Sequence, residues 1–302
     1  MSWTDGKESG RRARTDGAQR ALLARRLREL RAASFASGSA LARTLLADYP
    51  DAKWHQTRVS KLETGAQRPT EPDVRQWAAA TRATDDATTE LLELLSASRV
   101  EYATFGQLYR RHGSALADQA ATTARDAETS RIAEFQPSMI PSLVQTTAYA
   151  REVLSLPYGP SSRGVSADEI EKLVGERVRR QDVLYEPGKT IQLVMGEAAL
   201  HVRFGPRETM IGQLDRLATV AGLAGVELGV VPFSAPFPVY PLTDFILDDG
   251  FVLIESITAQ QRLDGADEVA LYGRFFQQLR DAAASGPEAV RLIQRVAADL
   301  RS

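Results

Sequence analysis

Cysteine is missing from this chain altogether, which removes disulfides, thiolate chemistry and cysteine-ligated zinc together. Histidine is nearly as scarce. His55, His112 and His201 are the whole supply, and none stands in H-E-x-x-H or another metal-binding spacing. Glu197 and His201, four apart, are read more simply as a surface ion pair than as metal ligands. The chain also lacks a G-x-x-x-x-G-K-[ST] phosphate loop and a dinucleotide-type G-x-G-x-x-G. Asp244, Asp248, Asp249 and Glu255 are residues that strand ends and turns use routinely. No catalytic residue, cofactor or metal is therefore expected, and an enzyme is not the expected class. There is no run of eighteen apolar residues that would suggest a membrane span. The opening M-S-W-T-D-G-K-E-S-G-R-R has no apolar core of an export signal. The cytoplasm, at the nucleoid, is the expected location, with no membrane partner.

What the chain does have is an ordinary globular composition, 43% hydrophobic and 25% charged over 302 residues, enough for two domains or three small ones. Its charge is very unevenly placed. Residues 1–68 carry 14 Lys and Arg against 7 Asp and Glu, a balance of +7, which leaves −9 for the remainder of a chain whose net charge is −2. A basic head on an acidic body implies that the head meets phosphate and the body something else.

Residues 1–17 are small and polar with a cluster at Arg11, Arg12 and Arg14, and read as a disordered basic arm. Helical spacing of Leu23, Leu27 and Leu30 predicts a first helix, and Leu41, Ala42, Leu45 and Leu46 a second, closed by Tyr49-Pro50-Asp51. Trp54 to Thr70 holds the most informative segment. Val59 and Leu62 form one buried edge of a short helix, while Gln56, Thr57, Arg58 and Lys61 form a polar face. Gly65 supplies a left-handed stop and Pro69 prevents resumption. Thr70, Pro72 and Asp73 start a fourth helix, and Asp85 and Asp86 a fifth. Residues 18–97 thus read as an all-α, five-helix domain. Beyond Ser96 the chain is expected to stay helical, as a connector, through Tyr109. Strands are expected at Ile191–Met195 and Val226–Pro232, with a hairpin of Phe245–Asp248 and Phe251–Ile257 turned by Asp249-Gly250. Flanking helices make residues 98–302 a regulatory or partner-binding domain of helices around a small, mostly antiparallel sheet. The expected class overall is α+β.

Two resemblances cover nearly everything after Ala18. Leu41-Ala42 followed by Gln56-Thr57-x-Val59-Ser60-x-Leu62-Glu63-x-Gly65-x-x-x-Pro69 resembles the helix-turn-helix of phage Cro/repressor-type regulators, the xenobiotic response element family. One departure is that Leu41-Ala42 lies further from Val59 than the usual short turn permits, by about seven residues around Ala47 to Lys53. The body carries Ile140-Pro141-x-Leu143-Val144-Gln145-Thr146-x-x-Tyr149-Ala150, Arg177-x-x-Arg180-Gln181, Glu197-Ala198-Ala199-Leu200, Met210-x-x-Gln213-Leu214 and Val230-Val231-Pro232-Phe233. It resembles the C-terminal domain of actinomycete regulators of the WhiJ type and the antitoxin-like proteins of Scr-type toxin–antitoxin pairs. Ser142 stands where that group usually has glycine.

The first resemblance implies that Gln56, Thr57 and Lys61 read DNA bases. Amide, hydroxyl and ammonium groups suit adenine, thymine and guanine edges in the major groove. Lys53, Arg58, Thr64 and Arg68 are expected at phosphates or beside them. Glu63 is expected to pair with an arginine of the first helix, Arg26 or Arg28. The second resemblance implies a DNA-binding developmental or antitoxin-like regulator, a repressor or an activator, with a small acidic partner protein encoded nearby. The expectation is a homodimer on a two-fold operator whose body receives a signal from that partner or from a ligand. The alternative is a module that neutralises its partner and binds DNA for autoregulation. Phe233, Phe237 and Tyr240, set among prolines, are the candidate ligand or partner loop.

Overall fold

The computed structural model describes residues 15–98, 100–157, 159–160, 164–240 and 243–302. The arginine cluster at Arg11, Arg12 and Arg14, and with it most of the expected basic arm, lies outside the described residues. The chain divides into two compact units, Met1–Tyr102 and Ala103–Ser302.

In the first unit five helices appear in the expected order: α1 (Thr15–Ser34), α2 (Gly38–Asp48), α3 (Gln56–Glu63), α4 (Glu71–Thr81) and α5 (Asp85–Ser98). α1 thus begins three residues before the start the sequence suggested. Local chemistry fixes most of the other boundaries. The Ser37 hydroxyl accepts from the Ala40 backbone N–H at 3.2 Å and opens α2. Thr70 and Asp73 make a reciprocal capping box at the start of α4, the Asp73 N–H donating to the threonine hydroxyl at 3.3 Å and the Thr70 N–H to the carboxylate at 2.9 Å. Leu23, Leu27, Leu41, Leu45, Trp54, Val59, Leu62, Val74, Trp77, Leu91 and Leu95 form one core. All are at most 2% exposed. The Trp77 indole N–H, deep in that core, donates to the Leu27 carbonyl at 3.1 Å, so its one polar atom is satisfied.

Gly65 has φ +70°, and a Cβ placed there would lie 3.7 Å from that of Ala24. There is space for a methyl group, but the left-handed backbone is unfavourable for alanine. Gly65→Ala is therefore expected to destabilise the N-terminal unit by about 1–2 kcal/mol, measurable as a lower midpoint in denaturant unfolding followed by tryptophan emission.

The chain carries a mixed sheet, eight-stranded among the described residues, in the order β1-β7-β6-β5-β2-β3-β4-β8, and β2 to β8 lie wholly within the second unit. The strands are β1 (Val100–Thr104), β2 (Arg131–Gln136), β3 (Thr190–Gly196), β4 (Val226–Val231), β5 (Phe245–Leu247), β6 (Val252–Glu255), β7 (Ala259–Leu263) and β8 (Ala284–Ser285). β2, β3 and β4 run parallel, while β5, β6, β7 and β8 join antiparallel. With its helices this makes the protein α+β.

The sheet is larger than the four strands read from the sequence. Val100–Thr104, expected to be helical, is β1. β2 was hidden because five of its six residues are buried, Glu134 and Gln136 among them, so the apolar–polar alternation of a half-exposed strand is missing. The Asp249-Gly250 hairpin is present, with the Asp248 N–H donating to the Phe251 carbonyl at 3.0 Å.

Seven helices accompany the sheet among the described residues: α6 (Phe105–His112), α7 (Ala115–Glu128), α8 (Thr147–Leu154), α9 (Ala167–Arg180), α10 (Arg207–Val220), α11 (Ala266–Ala282) and α12 (Gly286–Arg301). Ile132, Ile191, Leu193, Met195, Leu228 and Val230 face a core shared with α10 and α12. Ala133, Phe135, Val194, Val231 and Phe245 point oppositely, to Phe276 and Leu279 of α11. None of the described helices is long and apolar enough to cross a membrane.

Candidate nucleic-acid interface

α3 has only eight residues, too few to be stable alone, and its geometry comes from its surroundings. At its N-terminus the His55 imidazole Nδ1 accepts from the Arg58 backbone N–H at 3.2 Å, an uncommon cap. The seven residues between α2 and α3 are ordered by a 3₁₀ turn at Pro50–Ala52 and by Lys53, which takes φ 52°. They place Trp54 in the core at 2% exposure. The indole N–H of Trp54 donates to the Gln76 side-chain oxygen at 2.7 Å. Its ring meets Trp77 edge-on, centroids 6.1 Å apart. The lengthened turn is thus a packed element that carries one of the largest core side chains.

Arg58 lies over the other part of this arrangement. Its guanidinium sits 4.5 Å from the Trp54 ring centroid, donates to the Ala52 carbonyl, and pairs with Asp73 at 2.7 Å. Asp73 is 3% exposed. One of its oxygens caps α4 and the other holds Arg58, so α3, the turn and α4 are tied at a single carboxylate. Arg58, expected at a phosphate or beside one, thus has both terminal nitrogens engaged within the fold. Sequence spacing showed that Arg58 was polar and on α3, and could not show that Trp54 folds beneath it.

A second tie joins α3 to α1. Glu63 accepts two hydrogen bonds from Arg31, at 2.7 and 3.3 Å. The fork raises the Arg31 pKa by favouring its charged form. An arginine of the first helix was the expected partner class, and Arg31 takes the place of Arg26 or Arg28. Arg26 instead pairs with Glu90 of α5 at 2.6 Å.

With Val59 and Leu62 buried and Arg58 and Glu63 paired, the outer stripe of α3 is Gln56, Thr57, Ser60 and Lys61, followed by Thr64 at its C-cap, all exposed. Among the described residues the Gln56, Thr57 and Lys61 side chains make no hydrogen bond or ion pair. The Thr64 hydroxyl turns back to the Ser60 carbonyl at 2.9 Å. Lys53 is exposed beside the helix start and Arg68 half-buried beyond its end. Ser60 belongs to the stripe at i+4 from Gln56 and was passed over in the sequence, although its spacing alone would have placed it there.

The candidate loop belongs to the second unit. Phe233, Phe237 and Tyr240 are 66%, 37% and 80% exposed. Phe233 stacks on His201 with centroids 5.6 Å apart, and its backbone N–H donates to Glu197 at 2.6 Å. Glu197 also lies 3.6 Å from His201, the surface pair expected from their spacing. No cluster of three or more His, Cys, Asp or Glu side chains suited to a metal occurs among the described residues.

Residues 119–295, more than half of the chain, match the family described as a domain of unknown function, DUF5753. The chain belongs to that family. Residues 22–92 match a helix-turn-helix domain, a span that includes α2, the packed turn and α3. No curated protein matches the chain. Among solved structures, NucT from Helicobacter pylori is similar at 8% identity and a TM-score of 0.34, over 62% of this chain and 98% of that one. TrmBL2, an archaeal chromatin protein with a novel mode of DNA binding, is similar at 14% identity and a TM-score of 0.29, over 86% and 99%. Overlaps this loose carry no argument about fold or function.

Proposed function

We propose that this DUF5753-family chain is a sequence-specific DNA-binding regulator of transcription and that α3 is its recognition helix. The observation that carries the reading is the stripe on α3: polar side chains that the fold holds outward and leaves unengaged, on a helix tied down by a buried carboxylate and a tryptophan. An idle surface helix would not require such anchoring. The match to a helix-turn-helix domain over residues 22–92 and the basic balance of residues 1–68 support the same reading.

In this proposal Gln56, Thr57 and Lys61 read base edges in the major groove, joined by Ser60. Lys53, Thr64 and Arg68 lie at or beside phosphates. A helix of this length reads only a few base pairs, so two copies are proposed to bind a two-fold site with half-sites about 34 Å apart. The acidic second unit is proposed to receive the regulatory signal. The exposed aromatic loop is where a protein partner, such as a small protein encoded nearby, would be sought.

Replacing Gln56 and Lys61 together by alanine tests the role of α3. Each good base contact discriminates by about 1–3 kcal/mol, so affinity for a selected operator is expected to fall by at least about a hundredfold. Affinity for unrelated DNA should change far less, and helical circular dichroism should not change. Equal losses on operator and unrelated DNA would show that α3 contributes charge only.

A further inference from the structure

Between the sheet and α9 the second unit holds a polar cavity of about 260 Å³. The pleat explains its floor. Glu134 pairs in register with Ile246, and Ile246 with Leu253, so these side chains share a face. Gln136, Asp244 and Glu255 extend that face, while α9 brings Arg177 and Arg180 to the same cavity.

These groups are incompletely satisfied by the protein. Glu134 is 1% exposed and Arg180 4% exposed. One Glu134 oxygen accepts from the Gln136 amide at 3.0 Å, and the other has no hydrogen bond of ordinary geometry. Arg180 donates its Nε to Asp126 at 2.5 Å and Nη1 to Ser142 at 3.0 Å, leaving Nη2 buried without a partner. Arg177 donates Nη1 to Gln145 at 2.9 Å, and its buried Nε is likewise unused.

The two kinds of charge act on each other across the cavity without touching. Among the described residues no ion pair within 4.0 Å joins Arg177 or Arg180 to Glu134, Asp244 or Glu255, while Arg180 favours the ionised Glu134, and Glu255 and Glu134 favour the charged Arg177. Like charges are crowded beside them. Burial, and then the nearby Arg180, lower the Arg177 pKa to about 10. Burial and then Glu255 push the Asp244 carboxyl up to about 6. Burial also raises Glu134, against the favourable influence of Arg180 and Gln136. Buried polar atoms without partners are costly in a native protein, and here three belong to residues that line one cavity, although the Ser142 backbone also favours the ionised Glu134.

We propose that this cavity binds a small zwitterion of the amino-acid class, its carboxylate taken by Arg177 and Arg180 and its ammonium group by Glu134 and Asp244. A simple anion would satisfy the guanidiniums and be repelled by the carboxylates. An amine without an acid group would do the reverse, and a neutral polyol would offer the unused guanidinium donors and carboxylate oxygen no charged partner. The volume is just below the range of drug-sized sites and suits a molecule of this size. Only the consequence rests on the DNA-binding reading: in that reading the zwitterion is the signal received by the second unit.

The test uses the full chain without DNA, so that failure of ligand binding and failure of DNA recognition are separate results. The standard amino acids are screened singly by thermal shift, and any that raises the melting temperature is titrated calorimetrically. At least one is expected to bind. Its decarboxylated amine and its deaminated acid should each bind at least about tenfold more weakly, the loss of one charge-assisted contact. Glu134→Gln, a change of nearly equal shape, should weaken binding similarly, as should Arg177→Gln, with both variants checked for folding by circular dichroism. The proposal is overturned if no amino acid binds, if either half-molecule or glycerol binds as well as the zwitterion, or if both folded variants retain full affinity.

Discussion

Trp54→Ala is expected to unfold the N-terminal unit, or leave it on the edge of unfolding, at ordinary temperature. The indole is 2% exposed, and truncating a buried tryptophan costs about 3–5 kcal/mol from lost transfer energy and the cavity left behind. Two further losses act at the same place. Gln76 loses the donor now 2.7 Å from its oxygen, and Arg58 loses the ring beneath its guanidinium. Domains of this size are stable by about 5–15 kcal/mol in all, so little remains. All three tryptophans, Trp3, Trp54 and Trp77, lie in the first 77 residues, and emission from Trp77, 0% exposed in the same core, still reports this unit. Denaturant unfolding should show its midpoint lowered sharply, or no folded baseline. Trp54→Phe keeps a ring and forgoes the Gln76 hydrogen bond, and should cost less. A Trp54→Ala variant as stable as the parent would mean that the turn before α3 does not depend on this side chain.

The second large effect lies in the other unit. Asp126 is 1% exposed and holds Arg180 at 2.5 Å and Arg125 at 2.8 Å. Asp126→Ala leaves the Arg180 guanidinium, itself 4% exposed, buried and without its counter-charge. Removing one partner of such a pair typically costs about 3–5 kcal/mol. Arg125 softens the change little, because it keeps Asp248 as a partner at 3.3 Å. The expected result is a marked fall in thermal stability. Partial recovery is expected in the double variant that also replaces Arg180 with methionine, where no charge is left stranded. If the double variant is no more stable than Asp126→Ala alone, the stranded charge is not the cause.

How much of this was legible in the sequence differs between the two units. The five N-terminal helices were readable from their apolar spacing and from local signals such as the Thr70–Asp73 start and the Gly65 stop, which act within a few residues of themselves. The outward stripe of α3 followed from helical spacing. Trp54 was visible only as the start of the segment, since its burial depends on Trp77 and Gln76, more than twenty residues away. For the same reason spacing on α1 could nominate Arg26 or Arg28 for Glu63 but could not single out Arg31. The loop of Phe233, Phe237 and Tyr240 stood out by composition, and its aromatic side chains are exposed. The cavity was hidden because its residues come from β2, β5, β6 and α9, stretches that no local pattern relates. Glu134 and Gln136 also disguised the strand that carries them.

The central claim is that α3 reads DNA sequence, and selection from a randomised duplex pool by the full-length protein tests it most directly. Binding should enrich two similar half-sites related by a two-fold axis and separated by about one helical turn. The same selection with the Gln56→Ala, Lys61→Ala variant should lose the preference within each half-site. A wild-type pool that stays random after repeated rounds, or a variant that enriches the same sequence as the parent, would contradict the account.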